Sequence, residues 1–205
     1  MSGAAKKILI AVVFVVGFVA VRHFMQRQDE RTAAGAAERT VEELRQKGAE
    51  KHPEQPLSSA MHQEAVAMAE SKLSEETDQG KRVVSAASMF FGFYLVNTRE
   101  RVQFCQEQGI DIGSFVEPFA AAHAAELQKA RAVLAGQVSE EKLYGMVRSQ
   151  LRTVVVQDMQ DIAAQSQTDA KGACELIAAN GPAVAAEMHL SKTQPAVRRA
   201  LLGTD

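Results

Sequence analysis

Tryptophan is absent from this 205-residue chain, aromatic residues make up 5% of it, and there are only two cysteines and five prolines. Each scarcity excludes something. With few aromatics and few valine-rich alternating stretches, there is little from which to build a half-buried sheet. The two cysteines, Cys105 and Cys174, stand far apart, so no Cys-x-x-Cys redox pair exists. No Gly-x-Ser-x-Gly turn and no glycine-rich loop after a strand occurs, which removes the common nucleophile and phosphate-cradling patterns. The 23 Lys and Arg are interspersed among 25 Asp and Glu for a net charge of −2. That leaves no basic face for a nucleic acid, and none is expected as a partner.

What the chain does have is alanine in abundance and apolar residues at helical spacing. Alanine loses no side-chain entropy in a helix and lets helices approach closely, so the expected fold is all-α.

The one long apolar run lies at residues 8–21, with Lys6 and Lys7 before it and Arg22 and Arg27 after it. Extended by flanking small residues and by snorkelling cations, such a helix spans a bilayer. The competing reading is a cleaved signal peptide. The best small-x-small site, Ala34-Gly35-Ala36, lies about a dozen residues too far along, so an uncleaved anchor over 1–25 is favoured. The charges flanking the run nearly balance. The short N-terminal tail and the cysteines point to a bacterial inner-membrane protein, single-pass, with its C-terminal domain in the periplasm.

Residues 26–56 alternate charge sign and show only a thin apolar stripe of Ala37, Val41 and Leu44. They read as a charged helical stalk over 26–51, with a coiled coil as the alternative, and a linker broken by Pro53 and Pro56. A soluble helical bundle is expected over 57–205. Its first helix is capped by Ser58 or Ser59 and ends near Leu73. The segment 83–105 is the most apolar after the N-terminus, and Val84, Ala87, Phe91, Tyr94, Thr98, Val102 and Cys105 fall on one helical face. It reads as a central helix covered on several sides, stopped by Gly109, rather than a second membrane span.

Ser114 and Glu117 form a capping-box pattern that opens a helix over 114–134. Ser139, followed by Glu140 and Glu141, opens another running to about Gln165. Short loops between three long helices imply an antiparallel up-down bundle, completed by short helices near Cys174, after Pro182 and after Pro195. In that layout the end of the Cys105 helix and the segment carrying Cys174 share one pole. A Cys105–Cys174 disulfide is therefore expected, one that persists in an oxidising compartment.

Of the five histidines, only His123 sits on an apolar helical face, and there it reads as a core residue rather than a metal ligand. Arg99, Glu100 and Arg101 read as a surface cluster at a helix C-terminus. The methionines read as core filler. No catalytic, cofactor-binding or metal residues are assigned. The function expected is that of a membrane-anchored periplasmic helical protein working through a protein partner, as an assembly, scaffold or chaperone-like factor without catalysis. The alternative is an apolar-ligand-binding or sensor bundle acting through a membrane partner.

Overall fold

The computed structural model describes residues 30–136 and 139–204, with side chains from Gly35 onward. The apolar run at 8–21, on which the anchor rests, lies outside the described residues. Among the described residues every regular element is a helix, and none is long and apolar enough to cross a membrane. In chain order they are α1 (Glu30–Lys51), α2 (Leu57–Glu75), α3 (Gln79–Leu95), a π-helical turn (Val96–Glu100), α4 (Arg101–Glu107), α5 (Gly113–Ala122) and α6 (Ala124–Leu134). There follow α7 (Glu140–Gln165), α8 (Ala170–Ala179), α9 (Gly181–Glu187), α10 (Leu190–Thr193) and α11 (Pro195–Leu202).

The central position expected for the apolar segment is where α3 sits. It packs against α2, α6 and α11, and Ala86, Met89, Phe90, Phe91 and Phe93 are all buried. Asp78 caps its start by accepting the Lys81 amide at 3.0 Å. The far end closes as the sequence implies. Gly109, at φ +76°, follows a C-cap at Gln108, with Ile110 N–H donating to the Cys105 carbonyl and Gly109 N–H to that of Gln106. This is a Schellman motif, which needs the left-handed conformation that glycine adopts without strain.

Between these ends the segment is not one regular helix. Asn97 Nδ2 donates to the Phe93 carbonyl at 2.9 Å and Thr98 Oγ1 to that of Tyr94 at 2.8 Å, while Arg101 N–H reaches back five residues to Val96. Inserting one residue into a turn rotates everything beyond it by about 100° relative to the 3.6-residue pattern. Of the stripe read from that pattern, Ala87, Phe91 and Cys105 are buried, but Thr98 and Val102, within and just beyond the turn, are only partly so, whereas Asn97, Glu100, Arg101 and Phe104 are buried.

The expected solvated stalk is corrected by the packing of α1, which lies along α2 and α7. Ala37, Val41 and Leu44 are buried, and the stripe continues to Gly48. A Cβ at Gly48 would lie 2.9 Å from the Met61 amide nitrogen, so the two backbones nearly touch. A thin seam of small residues suffices because the helices approach this closely.

Two helix starts also differ from expectation. Ser58 and Ser59 lie inside α2, where Ser58 N–H donates to Asp161 Oδ2 at 2.7 Å. Ser114 forms no capping box. The carboxylate of Asp111 accepts the Gly113 amide instead, and Ser114 Oγ donates to the Ala178 carbonyl at 2.6 Å. Ser139, by contrast, caps α7 by accepting the Lys142 amide.

Beside the Ser114 contact with α8, α9 crosses α5 closely. A Cβ at Gly181 would sit 2.4 Å from both the carbonyl carbon and oxygen of Ser114 and 2.6 Å from Phe115 N. Backbone cannot swing aside as a flexible side chain can. Gly181→Ala should therefore cost about 2–3 kcal/mol as overpacking, read as a lower urea midpoint. An unchanged midpoint would show that the crossing is looser than described.

Candidate functional site

The polar chemistry of the interior is concentrated where the π-turn meets α7. Rotated inward by that turn, Arg101 has a side chain only 1% exposed, and its guanidinium is held on three sides. Nη2 lies 2.7 Å from Oδ2 of Asp158, itself 1% exposed. Nε donates to Asn97 Oδ1 at 3.1 Å, and Nη1 to the Met159 sulfur at 3.3 Å. Glu100, equally buried, accepts from the Tyr144 hydroxyl and lies 3.4 Å from Arg148 Nε. Burial, reinforced by the bond to Glu100, pushes the Tyr144 phenol up to about 12, so it stays a donor at neutral pH.

The surface reading of Arg99, Glu100 and Arg101 thus holds for Arg99 alone. The signal that finds the other two is the pair Asn97-Thr98, residues apt to bond back to the preceding turn and distort a helix.

Outside this buried pair runs a ladder of arginines on aromatic rings. The Arg99 guanidinium lies 5.1 Å from the centre of the Tyr144 ring, with Arg148 at 6.0 Å, and Arg152 lies 5.1 Å from that of Phe104. Each arginine also meets an acid or amide: Arg99 with Glu141, Arg148 with Gln103, Arg152 with Glu107. These partners rise together along both segments, so α4 and α7 run in the same direction. Cys105, one turn beyond Arg101, is joined to Cys174 of α8, with Cα atoms 5.5 Å apart and both residues fully buried.

The methionines are not all inert filler, since Met159 takes a hydrogen bond from Arg101. His52 lies beside Glu64, whose carboxyl is held below its usual range chiefly by the hydrogen bond from Lys51. His123 breaks the helix expected over 114–134 into α5 and α6 and is fully buried, as a core histidine should be. Among the described residues no group of three His, Cys, Asp or Glu side chains is gathered in the way a metal ion would need.

The depressions bounded by described residues include two open troughs. One, between α1 and α7, holds about 550 Å³ and is edged by Glu38, Arg39, Glu42 and Arg45. The other, between α1 and α2, holds about 420 Å³ and is edged by Lys47, Lys51, Glu64 and Glu75. Both are rimmed by charge of both signs. The buried Arg101–Asp158 pair lines neither. Comparison of the chain with protein-family models, with curated proteins and with solved structures returns no match in any of the three.

Proposed function

We infer that this is a membrane-anchored, extracytoplasmic helical protein that acts through a protein partner, in an assembly, scaffold or chaperone-like role, without catalysis. In a bacterial cell the anchor would lie in the inner membrane and the bundle in the periplasm. The observation that carries the compartment is the buried Cys105–Cys174 bridge, because such bonds persist where the milieu is oxidising. The basic-flanked run at 8–21 is the feature that would hold the bundle at the membrane.

Support for a protein partner comes from the ladder of Arg99, Tyr144, Arg148, Phe104 and Arg152. Arginine and aromatic side chains are enriched at interfaces and at their energetic centres. The troughs favour this reading over an apolar-ligand site, since both are open to solvent whereas such sites enclose their ligand.

Two measurements test it. A periplasm-dependent phosphatase fused after Asp205 should be active and a fluorescent protein that folds only in the cytoplasm dark; the reverse pattern would overturn the topology. A photo-crosslinker placed at position 148 in intact cells should yield one discrete adduct that the same probe at Gln128 does not. Recovery of the chain alone from both positions would count against a partner.

A further inference from the structure

Both ring nitrogens of His123 are committed, and they are committed in opposite senses. Nδ1 lies 2.8 Å from the Phe119 carbonyl oxygen, which can only accept, so Nδ1 carries the hydrogen. Nε2 lies 3.0 Å from the Leu190 amide, which can only donate, so Nε2 presents its lone pair. Together they specify one neutral tautomer. The Leu190 amide is the first of α10, and α10 leads directly into α11. That strap packs across α3, α2 and α6 and buries Leu190, Val197, Ala200 and Leu201.

We propose that His123 is a proton-operated latch for the C-terminal strap of α10 and α11. A proton on Nε2 would set an N–H against the Leu190 N–H, two donors facing one another with no acceptor between. The strap is the movable partner, since α10 has a single turn and the other bond of His123 is to its own helix.

The surroundings offer a buried imidazolium little compensation. From α3 come only the rings of Phe90 and Phe93, with centroids at 6.3 and 5.3 Å, and from α5 the ring of Phe119 at 4.3 Å. From α6 comes Glu126, whose carboxylate is engaged by Arg198 of α11 at 2.7 Å. Ahead of α10, His189 stacks on His123 with ring centroids 5.1 Å apart, and its own Nδ1 accepts the amide of Ser191, the second residue of α10.

Burial chiefly, with a further contribution from His189, holds the His123 imidazole below its ordinary value, although the Phe119 bond raises it. The sign follows. A folded value below the unfolded value of about 6.5 means that the open form binds the proton more tightly. Closure of the strap is complete above that pH and weakens, by at most about tenfold per unit, as pH falls through the window beneath it.

Hydrogen exchange on the full chain, normalised to intrinsic rates, tests the latch between pH 7.5 and 5.5. Protection of residues 190–202 should fall below pH 6.5, by at most about tenfold per unit, while that of α7 holds. A strap that keeps its protection, or one that loses it together with α7, overturns the latch. His123→Gln carries no proton equilibrium and should flatten the dependence, whereas His189→Asn should leave it in place. His62 on α2, pushed down to about 4 by burial, is the competing titration. If His62→Gln rather than His123→Gln flattens the profile, the latch is wrong. Should His123→Gln fail to fold, imidazole nitrogen shifts of the wild type decide. A doubly protonated His123 beneath a still-protected strap would end the proposal.

Discussion

Asp158→Asn should lower the unfolding free energy by about 3–5 kcal/mol, the largest loss expected from any single polar side chain in the bundle. The reason is the company Arg101 keeps. Both members of the pair are 1% exposed, and the remaining partners of the guanidinium, Asn97 and Met159, are neutral. Removing the carboxylate charge leaves a cation in the interior with no counter-ion, and a permanently charged arginine cannot escape by releasing its proton.

The same physics predicts that the double variant Arg101→Met, Asp158→Leu recovers most of the loss, because taking two charges out of water offsets much of what their attraction returns. Urea unfolding followed by circular dichroism reads both. A loss below about 1 kcal/mol for Asp158→Asn, the range of a solvated pair, would mean that water reaches the site. Arg152 and Glu107 supply the contrast. At 32% and 44% side-chain exposure, their separation by mutation should cost no more than about 1 kcal/mol.

Why this pair was hidden in the sequence while much of the fold was legible is a matter of which physics is local. Gly109 as a helix stop, Ser139 as a helix start and the helical period of α3 depend on residues within one turn of each other. The cysteines required only topology, since an up-down layout carries both to one pole, and the structure joins them there. The Arg101–Asp158 pair joins residues 57 positions apart and depends on a π-turn that adds a residue to the count. A strict 3.6-residue reading therefore left Glu100 and Arg101 on the surface.

The packing of α1 was missed for a related reason. Hydrophobic patterning weighs side chains by their apolar bulk, and this seam works through its absence at Ala37 and Gly48. Gly48 extends the spacing of Ala37, Val41 and Leu44 by one further turn and is the signal that would have found it. The burial of His123 was legible from its place on an apolar face, but its partner, the Leu190 amide, lies 67 residues away.

Severing the Cys105–Cys174 bridge is the other change with a large expected effect. The bond closes a loop across a sequence separation of 69, which contains all of α5, α6 and α7. In the chain-entropy description such a loop stabilises by about 4 kcal/mol, by restricting the unfolded chain rather than by adding contacts to the folded one. Cys105→Ala with Cys174→Ala should thus lower the urea midpoint and steepen its slope, because an unbridged chain exposes more surface on unfolding. Because both sulfurs are fully buried, reductant should act on the intact protein only as fast as the fold opens. Free thiols in freshly isolated protein would contradict the bridge and the compartment together.

A thermodynamic cycle separates this account from a contact-based one. Arg101 and Cys105 are neighbours one turn apart, so a bond that positions the buried ion pair would couple to it. If the bridge acts on the unfolded chain alone, its loss and the loss from Asp158→Asn should add to within about 0.5 kcal/mol. A coupling above about 1 kcal/mol would make the disulfide a brace for the π-turn and its arginine, not only a restraint on the denatured chain.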